Sequence, residues 1–462
     1  MRPGTDEVLT VAQMRAAEEA LIARGETVDS LMQLAGKGAA EWIWRVASGR
    51  PVTVLCGPGN NGGDGYVIAE TLRRKGLSVT VVAPFEPKTE AAQRSRAAYG
   101  GAIADAGHGG GFVDCLFGSG LTRPLAETAA LLGELARHHH YRIAVDLPSG
   151  VESDSGALLD EGLPSYHLTI ALGAWKFAHW LMPAMERMGE RRLVPIGVGT
   201  VKGAAAVLAR PHFDVPAADA HKYTRGLVLV VGGGMVGASV LACEAATRAG
   251  TGAVRLTSTH PHPAAPADVV LRDQPLEELL AEKRTDAVLV GPGLGLDANA
   301  RQRLANVLKA DLPTVADADA LTLLRPELLE GRKAALIVTP HAGEMERLTK
   351  SFGTSGAGKV AQAKALAEAT RAVVVSKGPD TVIAAPDGRV VLAPSPTSWL
   401  AVAGTGDVLS GTAASRLAAV HDPFVAACEA VWLHGEAARQ AGPAFLASDL
   451  AKHISGAYVA AL

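Results

Sequence analysis

Three polar runs, each directly after a short apolar run, contain the residue types that could bind an anion and move a proton. The run GPGNNGGDG, residues 57–65, has five glycines and follows PVTVLC. Asp114 lies in VDCLFGSG, and Asp146 and Ser149 lie in AVDLPSG. Glycine amides can approach a phosphate closely, and a carboxylate can take up or release a proton. Because ligands bind outside the carboxyl ends of parallel strands, these runs predict one shared crevice.

Each of these features also has a simpler interpretation. A glycine-rich turn between a strand and a helix, with Asn side chains bonded to the nearby backbone, is about as frequent as a phosphate loop. The run 57–65 has neither the glycine spacing of a dinucleotide fingerprint nor the Lys-Ser/Thr pair of a P-loop. A single Asp is more often a helix cap or a turn residue. The occurrence of three such runs at three strand ends favours a binding site.

A second group of candidate residues lies near the carboxyl terminus. The motif AGTGD, residues 403–407, leads into VLSGTAASRLAAV, whose helical period places Asp407 near a helix N-terminus beside glycine amides. An anion site with a carboxylate base next to it is what phosphoryl transfer to a hydroxyl requires. An Asp that only caps the helix is equally consistent with this motif alone. His341, taken alone, is more typical of a loop histidine.

The elements that must position these residues alternate between strands and helices. Residues 10–47 have the period of two helices, and the β-branched runs PVTVLC, VTVVAP, GFVDC and YRIAV predict strands of a doubly wound parallel sheet. The alternation lapses in an Ala- and Pro-rich stretch near residues 200–222 and then resumes with GLVLVV, GAVRL, DAVLV, PTVAD, ALIVT and AVVVS. We therefore predict two α/β domains, residues 1–210 and 211–462.

Composition excludes several classes of function. The net charge of −3 provides no basic surface for nucleic acid and no polybasic membrane anchor. The start of the chain has acidic residues where a signal peptide would be apolar, and no window is long enough to span a membrane. The cysteines are scattered singly, as expected in a reducing cytoplasm, and the histidines at 138–140 are interpreted as a solvated cluster. We expect a cytoplasmic protein with no nucleic-acid or membrane partner.

Residues 8 to about 200 resemble the NAD(P)H-hydrate epimerases, whose domain is Rossmann-like, through the three polar runs in order. The resemblance implies that Asp146 is catalytic and that Asn61, Asp114 and Ser149 hold a potassium ion, which suits their oxygen ligands. It also implies a set of residues that contact the hydrated dinucleotide: Asn60, Asn61, Gly62, Gly63, Asp64, Gly118, Ser119, Gly120, Leu121, Thr122, Arg123, Pro124 and Asp146.

Two segments of this first region differ from what the family pattern leads us to expect. Ser165–Thr169 reads SYHLT where the family commonly has an acidic residue before a Thr-containing strand. The stretch 176–192, KFAHWLMPAMERMGERR, is apolar and then basic, and we interpret it as a variable surface helix or lid.

From about residue 215 to 462 the chain resembles the ADP-dependent NAD(P)H-hydrate dehydratases, a branch of the ribokinase-like fold. The motifs HKYTRGLVLVVGGGMVGA, GPGLG, DADAL, TPHAGEMERL, SKGPDT and GTGDVLSG carry this resemblance, although Tyr223 stands where the family usually has Gly. The resemblance implies that Asp407 is the catalytic base and contacts the hydrated dinucleotide together with Ala238, Gly295 and His341. It further implies an adenine nucleotide bound by Lys377, Gly378, Pro379, Asp380, Thr381 and Gly406.

Together, the two resemblances imply repair of hydrated NADH and NADPH. One domain would interconvert the R and S hydrates, and the other would dehydrate the S hydrate with ADP, giving AMP and phosphate, with magnesium on the nucleotide. The alternative is an ATP-dependent kinase of a sugar or vitamin with a non-catalytic N-terminal binding module, because related folds serve such enzymes. We also expect a homo-oligomer.

Overall fold

The computed structural model describes residues 7–260 and 265–462. Residues 1–6, the beginning of the segment interpreted as lacking a signal peptide, lie outside the described residues. The chain divides into two compact units, the first ending at Val207 and the second beginning at Leu208; the boundary predicted from the sequence fell between residues 210 and 211. Among the described residues, no helix combines the length and the apolar character needed to cross a bilayer.

The first unit contains ten strands and five α-helices among its described residues. Its strands are β1 (Glu7–Leu9), β2 (Val52–Cys56), β3 (Val79–Val82), β4 (Ala102–Ala104), β5 (Gly109–Cys115), β6 (His139–Val145), β7 (Leu168–Leu172), β8 (Trp175–Lys176), β9 (Glu190–Val194) and β10 (Ala205–Val207). Its helices are α1 (Val11–Ile22), α2 (Val28–Ala47), α3 (Asn60–Arg74), α4 (Glu90–Ala98) and α5 (Thr128–Arg137), with short 3-10 helices at Phe177–His179 and Ala184–Arg187.

Seven of these strands form a parallel sheet in the order β4-β3-β2-β5-β6-β7-β9. Every residue of β2 is buried, as its β-branched, apolar sequence predicts for a central strand covered on both faces. The strand order reverses between β2 and β5, so the loops that follow these two strands leave the sheet at a topological switch point. Separately, β1 pairs antiparallel with β10 and parallel with β8.

Helix α3 begins inside the glycine run rather than after it. The sequence predicted a loop through Gly65, but the helix begins at Asn60. The glycines serve close packing as well as backbone exposure: a Cβ on Gly62 would lie 1.9 Å from the Gly57 carbonyl oxygen, and one on Gly65 would lie 2.8 Å from Cys56 Sγ. The first turn of α3, with its unpaired amides, therefore lies directly against the end of β2.

The second unit is built from nine strands and nine α-helices among its described residues. Its strands are β11 (Leu227–Val231), β12 (Ala253–Thr257), β13 (Val269–Arg272), β14 (Ala287–Val290), β15 (Thr314–Ala316), β16 (Leu336–Val338), β17 (Val373–Ser376), β18 (Asp380–Ala384) and β19 (Val390–Pro394). Its helices are α6 (Val236–Arg248), α7 (Leu276–Leu280), α8 (Ala298–Lys309), α9 (Asp319–Leu323), α10 (Ala342–Ser351), α11 (Lys359–Thr370), α12 (Thr405–Val420), α13 (Pro423–Ala441) and α14 (Ala447–Val459).

The sheet of this unit has the order β13-β12-β11-β14-β15-β16-β17-β18-β19. The pairings from β13 to β17 are parallel, whereas β17 with β18 and β18 with β19 are antiparallel. Its strand order also reverses, between β11 and β14. Helix α12 packs tightly on α6, since a Cβ on Gly411 would lie 2.1 Å from the Ala242 carbonyl oxygen. The predicted α/β class, with a doubly wound parallel sheet followed by a second α/β domain, is confirmed.

We expect the change Gly65→Ala to destabilise the first unit by about 1–3 kcal/mol, because its methyl group has no room in a packed core. The added Cβ would lie 2.8 Å from Cys56 Sγ and 2.9 Å from Cys115 Cβ. Gly199→Ala is the matched control, since Gly199 is exposed with no atom within 4 Å of an added Cβ. Urea unfolding of the two variants measures the difference; equal stabilities would contradict this packing.

Candidate active sites

The first candidate site lies where the loops after β2, β5 and β6 meet. A Cβ on Gly118, after β5, would lie 2.9 Å from Asp146 Oδ2 and 3.3 Å from Asn61 Cγ. The structure thus brings together one residue from each of the three polar runs. Of the neighbouring positions singled out from the sequence, Gly62, Gly63 and Asp64 are buried, and Asn60 is exposed.

The turn 118–124 is mostly open to solvent. Gly120, Thr122, Arg123 and Pro124 are exposed, and the Ser119 amide donates to Asp146. Leu121 differs, since its side chain is buried in a core cluster. Only the backbone of Leu121 could therefore face a ligand, in contrast to the exposed side chains beside it.

Asp146 has the most constrained surroundings of the site. It is a non-glycine residue with φ of 66°, a left-handed conformation that costs free energy unless the neighbours hold it. Its Oδ1 accepts a hydrogen bond of 2.5 Å from Lys176 Nζ, and its Oδ2 accepts one of 3.0 Å from the Ser119 amide. Its carbonyl oxygen accepts a hydrogen bond of 2.8 Å from His179 Nε2.

The carboxyl groups of this site have pKa values that are shifted in opposite directions. Burial favours a higher pKa for Asp146, but the charge and hydrogen bond of Lys176 hold the pKa below its usual value. Burial raises the pKa of Asp64 well above its usual range, and the negative charges of Asp146 and Glu18 add to this. Glu18, from α1, also has a raised pKa because of burial. The site thus combines one carboxyl group with a lowered pKa and two with raised pKa values, the pattern expected of a base beside candidate acids.

The interpretation of residues 176–192 as a surface helix or lid is wrong. Lys176, His179, Ala184 and Met188 are all buried, and the helical parts are two short 3-10 helices. Ala178, Ala184 and Met188 of the stretch pack into a core cluster that includes Phe112. Lys176 and His179 were missed as site residues; an unexplained lysine inside an apolar run was the available signal.

Two of the three predicted potassium ligands, Asp114 and Ser149, are in contact, and the third, Asn61, lies beside Gly118. Asp114 is fully buried; its Oδ1 accepts from Ser149 Oγ at 2.7 Å and its Oδ2 accepts from Tyr166 Oη at 2.5 Å. Asn61 has a buried side-chain amide with no hydrogen-bond partner among the described residues. These oxygen donors, one of them unpaired, fit a hard monovalent cation. Tyr166 was missed; it lies in the segment that departs from the family pattern.

The second candidate site lies at the carboxyl ends of β15, β16 and β17 and at the start of α12. Lys377 Nζ is 2.8 Å from Asp317 Oδ1 and 3.8 Å from Glu344 Oε2. Burial disfavours the charged lysine, but these two carboxylates raise its pKa. A Cβ on Gly406 would lie 3.4 Å from Lys377 Nζ, so the GTGD turn faces this cluster.

Asp407 is half-buried in this turn and has an unusual proton affinity. Burial, followed by the negative charge of Asp317, raises the pKa of Asp407 to about 6. A carboxylate with this pKa is a stronger base than an ordinary Asp and still ionises near neutral pH. Asp317 and Glu344 were not singled out from the sequence, although they lie in DADAL and TPHAGEMERL.

Two other predicted positions, Ala238 and Gly295, lie in or beside two glycine-containing loops that a backbone hydrogen bond joins. Ala238 is in the first turn of α6, beside Met235, whose amide donates to the Gly293 carbonyl oxygen at 3.1 Å. The Gly295 amide donates to Asp319 Oδ2 at 2.8 Å. The loops GGGMVGA and GPGLG are thereby joined.

His341 is the N-cap residue of α10. Its Nδ1 accepts a hydrogen bond of 3.0 Å from the Gly343 amide, while the side chain remains 56% exposed. The capping role explains its position after β16, and its exposure leaves Nε2 accessible on the side of Glu344, 3.4 Å away.

The predicted nucleotide segment, residues 377–381, comprises the turn between β17 and β18 and the first two residues of β18. The Gly378 amide donates to Thr381 Oγ1 at 3.2 Å, and Thr381 Oγ1 donates to the Gly378 carbonyl oxygen at 2.9 Å. Asp380 pairs with Lys359 Nζ at 2.5 Å, which offsets a negative charge that would repel phosphate. Lys359, from α11, was also missed. Pro379 accepts a hydrogen bond from the Ser395 amide through its carbonyl oxygen.

Comparison with known proteins identifies relatives along nearly the whole chain. The family model for NAD(P)H-hydrate dehydratase matches residues 228–458, and that for the YjeF-related protein N-terminus matches residues 28–178. The bifunctional NAD(P)H-hydrate repair enzyme of Salinibacter ruber is 34% identical over 502 residues, covering 94% of this chain and 92% of its own. The enzyme of the same name from Gloeobacter violaceus is 35% identical and covers 92% of each chain.

Solved structures similar to this chain cover only part of its length. An ADP/ATP-dependent NAD(P)H-hydrate dehydratase from Bacillus subtilis, co-crystallised with ATP and Mg²⁺, is 30% identical, with a TM-score of 0.48. It covers 54% of this chain and 95% of its own length.

Two α/β units, each with polar side chains at the carboxyl edge of its own sheet, define a two-domain enzyme. The chain belongs to the family of bifunctional NAD(P)H-hydrate repair enzymes. The resemblance inferred from the sequence motifs and the prediction of an enzyme are confirmed.

We expect Lys377→Met to destabilise the second unit by about 3–5 kcal/mol, because it leaves Asp317 buried as an unpaired charge. Lys350→Met is the control: Lys350 and its partner Glu346 are 73% and 67% exposed, and such pairs contribute less than about 1 kcal/mol. Thermal unfolding measures both variants. A Lys377→Met protein as stable as Lys350→Met would show that the buried pair is not needed.

Proposed function

We propose that this chain repairs NADH and NADPH that carry a hydroxyl at carbon six of the nicotinamide ring. The first unit interconverts the R and S hydrates, and the second dehydrates the S hydrate with ADP. The observation that supports this most directly is that a chain of this family has a base in each unit, Asp146 and Asp407, at the carboxyl edge of its sheet.

In the first unit, Asp146 is placed to move the proton. Two routes connect the epimers: loss and return of the hydroxyl, or opening and closure of the ring at carbon six. Each route includes one step in which an oxygen loses a proton and one step in which an oxygen gains a proton. In the first route, an acid protonates the leaving hydroxyl, which departs as water while the ring nitrogen donates its electron pair. Water then adds to the opposite face and gives its proton to the ionised Asp146. Asp64 and Glu18 are the nearby acids.

In the second unit, hydroxide is a poor leaving group and phosphate a good one. Asp407 takes the proton of the carbon-six hydroxyl. At the same time the hydroxyl oxygen bonds to the β-phosphorus of ADP, and AMP leaves. Phosphate then departs with the carbon-oxygen electron pair, and loss of a proton from carbon five restores the dihydronicotinamide. Lys377 and the amides at the start of α12 place positive charge beside the moving phosphoryl group.

Two metal ions belong to this proposal. Asn61, Asp114 and Ser149 are the residues that would hold potassium, which supplies a fixed positive charge beside the bound dinucleotide. Magnesium, carried on the ADP phosphates, neutralises their charge and is expected to use few protein ligands. We also propose a homo-oligomer in the cytoplasm, where the free cysteines fit a reducing compartment.

The competing function is a small-molecule kinase with a non-catalytic first unit. The two functions differ in their product: a kinase releases a stable phosphorylated compound, whereas the repair enzyme releases NADH and free phosphate. The raised pKa of Asp407 serves both reactions. The ionised, lysine-bound Asp146 in the first unit is expected only if that unit does chemistry.

We expect purified protein with ADP and Mg²⁺ to convert a mixture of R and S NADH hydrate completely to NADH, followed by absorbance of the dihydronicotinamide. Asp146→Asn should stop once the S hydrate is consumed, because the R hydrate no longer epimerises. Asp407→Asn should slow NADH recovery about 10²–10⁴-fold, since a general base contributes this much, while still exchanging the epimers. A phosphorylated product without NADH would support the kinase instead.

The dehydratase rate should fall as the pH drops through about 6, because Asp407 must be a carboxylate and its pKa is raised to about 6. The epimerase should keep its activity to lower pH, since the pKa of Asp146 is lowered. The two pH profiles can be measured on one preparation, using pure S hydrate for the first and epimer exchange without ADP for the second. Coincident acid limbs would contradict these assignments.

A further inference from the structure

We propose that Lys176 is a positioning residue of the epimerase site, whose ammonium group orients Asp146 and keeps it ionised for proton transfer. This inference rests on the proposed epimerase function. Neither the glycine run nor the Asp-containing motifs include Lys176.

Lys176 is buried to an extent that requires a strong partner. It is 2% exposed and is among the largest fully buried side chains of the described residues. Moving an ammonium group out of water costs several kcal/mol unless nearby charges and hydrogen bonds compensate. Its Nζ donates to Asp146 Oδ1 at 2.5 Å and to the Leu172 carbonyl oxygen at 2.6 Å. The ammonium group of Lys176 is therefore held against the Asp146 carboxylate.

The backbone around Lys176 fixes the position of its side chain. It belongs to β8, where Leu9 and Lys176 are partners in the pairing with β1. Its amide donates to His179 Nδ1 at 2.9 Å, and the same imidazole donates through Nε2 to the Asp146 carbonyl oxygen. His179 thus joins the backbones of Lys176 and Asp146, and the ammonium group has little freedom to leave the carboxylate.

The two carboxylate oxygens of Asp146 accept hydrogen bonds from different partners. Lys176 contacts Oδ1, and the Ser119 amide contacts Oδ2. Ser119 lies directly before the exposed Gly120 in the turn 118–124, so Oδ2 is the oxygen that faces this partly open turn. A purely structural ion pair would not need this arrangement, since apolar residues of similar volume stabilise a core at least as well.

Among the groups that face Asp146, Lys176 supplies the positive charge in contact with it. Asp64 on α3 and Glu18 on α1 are acidic, and Arg15 acts on Glu18. His179 is neutral near pH 7, because burial and the neighbouring Lys176 lower its pKa to about 4. Burial is the largest influence that favours a protonated Asp146, and the charge and hydrogen bond of Lys176 are the largest influences that oppose it. A protonated Asp146 cannot accept a proton from water.

The test compares Lys176→Met with Lys176→Arg in the full-length enzyme. We expect Lys176→Met to move the acid limb of kcat/KM for epimer exchange upward by about 1–3 pH units, the range by which an adjacent cation lowers an Asp pKa. Lys176→Arg keeps the charge and should return the limb toward its wild-type position. Lys75→Met, which removes a lysine paired with the exposed Glu41 in the same unit, is the control and should leave the profile unchanged.

Dehydration of pure S hydrate by the same preparations shows that the second unit of each variant is folded, and thermal unfolding compared with wild type shows whether the first unit is. An acid limb at the same pH in Lys176→Met and wild type would overturn the proposal. An acid limb that is shifted equally in Lys176→Met and Lys176→Arg would also overturn the proposal, because a purely steric role of Lys176 would produce that pattern.

A second readout does not depend on turnover. Carbon-13 NMR of Asp-labelled enzyme, with Asp146→Asn to assign the signal, gives the pKa of Asp146 directly. A higher pKa in Lys176→Met than in wild type supports the proposal, and an equal pKa overturns it. If wild-type enzyme fails to exchange the epimers, the proposed function fails while this titration still decides the role of Lys176. If Lys176→Met does not fold, the wild-type enzyme alone tests the proposal. A pKa of Asp146 above about 3.9, the ordinary value for Asp, would then overturn the proposal.

Discussion

A lysine ammonium group buried against a carboxylate is the interaction on which both sites depend. In the first unit the pair is Lys176 with Asp146, and in the second it is Lys377 with Asp317. Each pair lies at the carboxyl edge of a parallel sheet, where backbone amides and carbonyl groups are available to complete its hydrogen bonds. The sheets therefore do more than bury apolar residues: they provide a place where charge can be held away from water.

The two bases are placed differently with respect to these pairs, and their pKa values are shifted in opposite directions. Asp146 contacts its lysine directly, and its pKa is held down. Asp407 is not the contact partner of Lys377; burial and the charge of Asp317 raise its pKa to about 6. One chain thus contains a carboxylate that stays ionised over a wide pH range and another that gains or loses its proton near neutrality. This difference matches a reversible exchange in one unit and a single proton removal in the other.

The α/β class, the division into two units and the loops that carry both candidate sites could be predicted from the sequence because they follow from local patterns. Strands β2, β5 and β6 were visible as β-branched runs, and Asp146 and Asp407 as carboxylates next to glycines. Lys176, Tyr166 and Lys359 could not be found in this way, since each acts through a partner distant in sequence. The start of α3 was misplaced because helix propensity penalises the glycines that tertiary packing requires.

The packing of Gly62 limits how this site can change in evolution. A Cβ there would lie 1.9 Å from the carbonyl oxygen of Gly57, and both are backbone positions of one turn, so no side chain can move aside. Every other amino acid adds that atom. A mutation at codon 62 can therefore be accepted only after the end of β2 and the start of α3 have already separated. The turn from β2 into α3 thus has no room for a side chain at position 62, whereas packing does not restrict the exposed residues after Gly118 in this way.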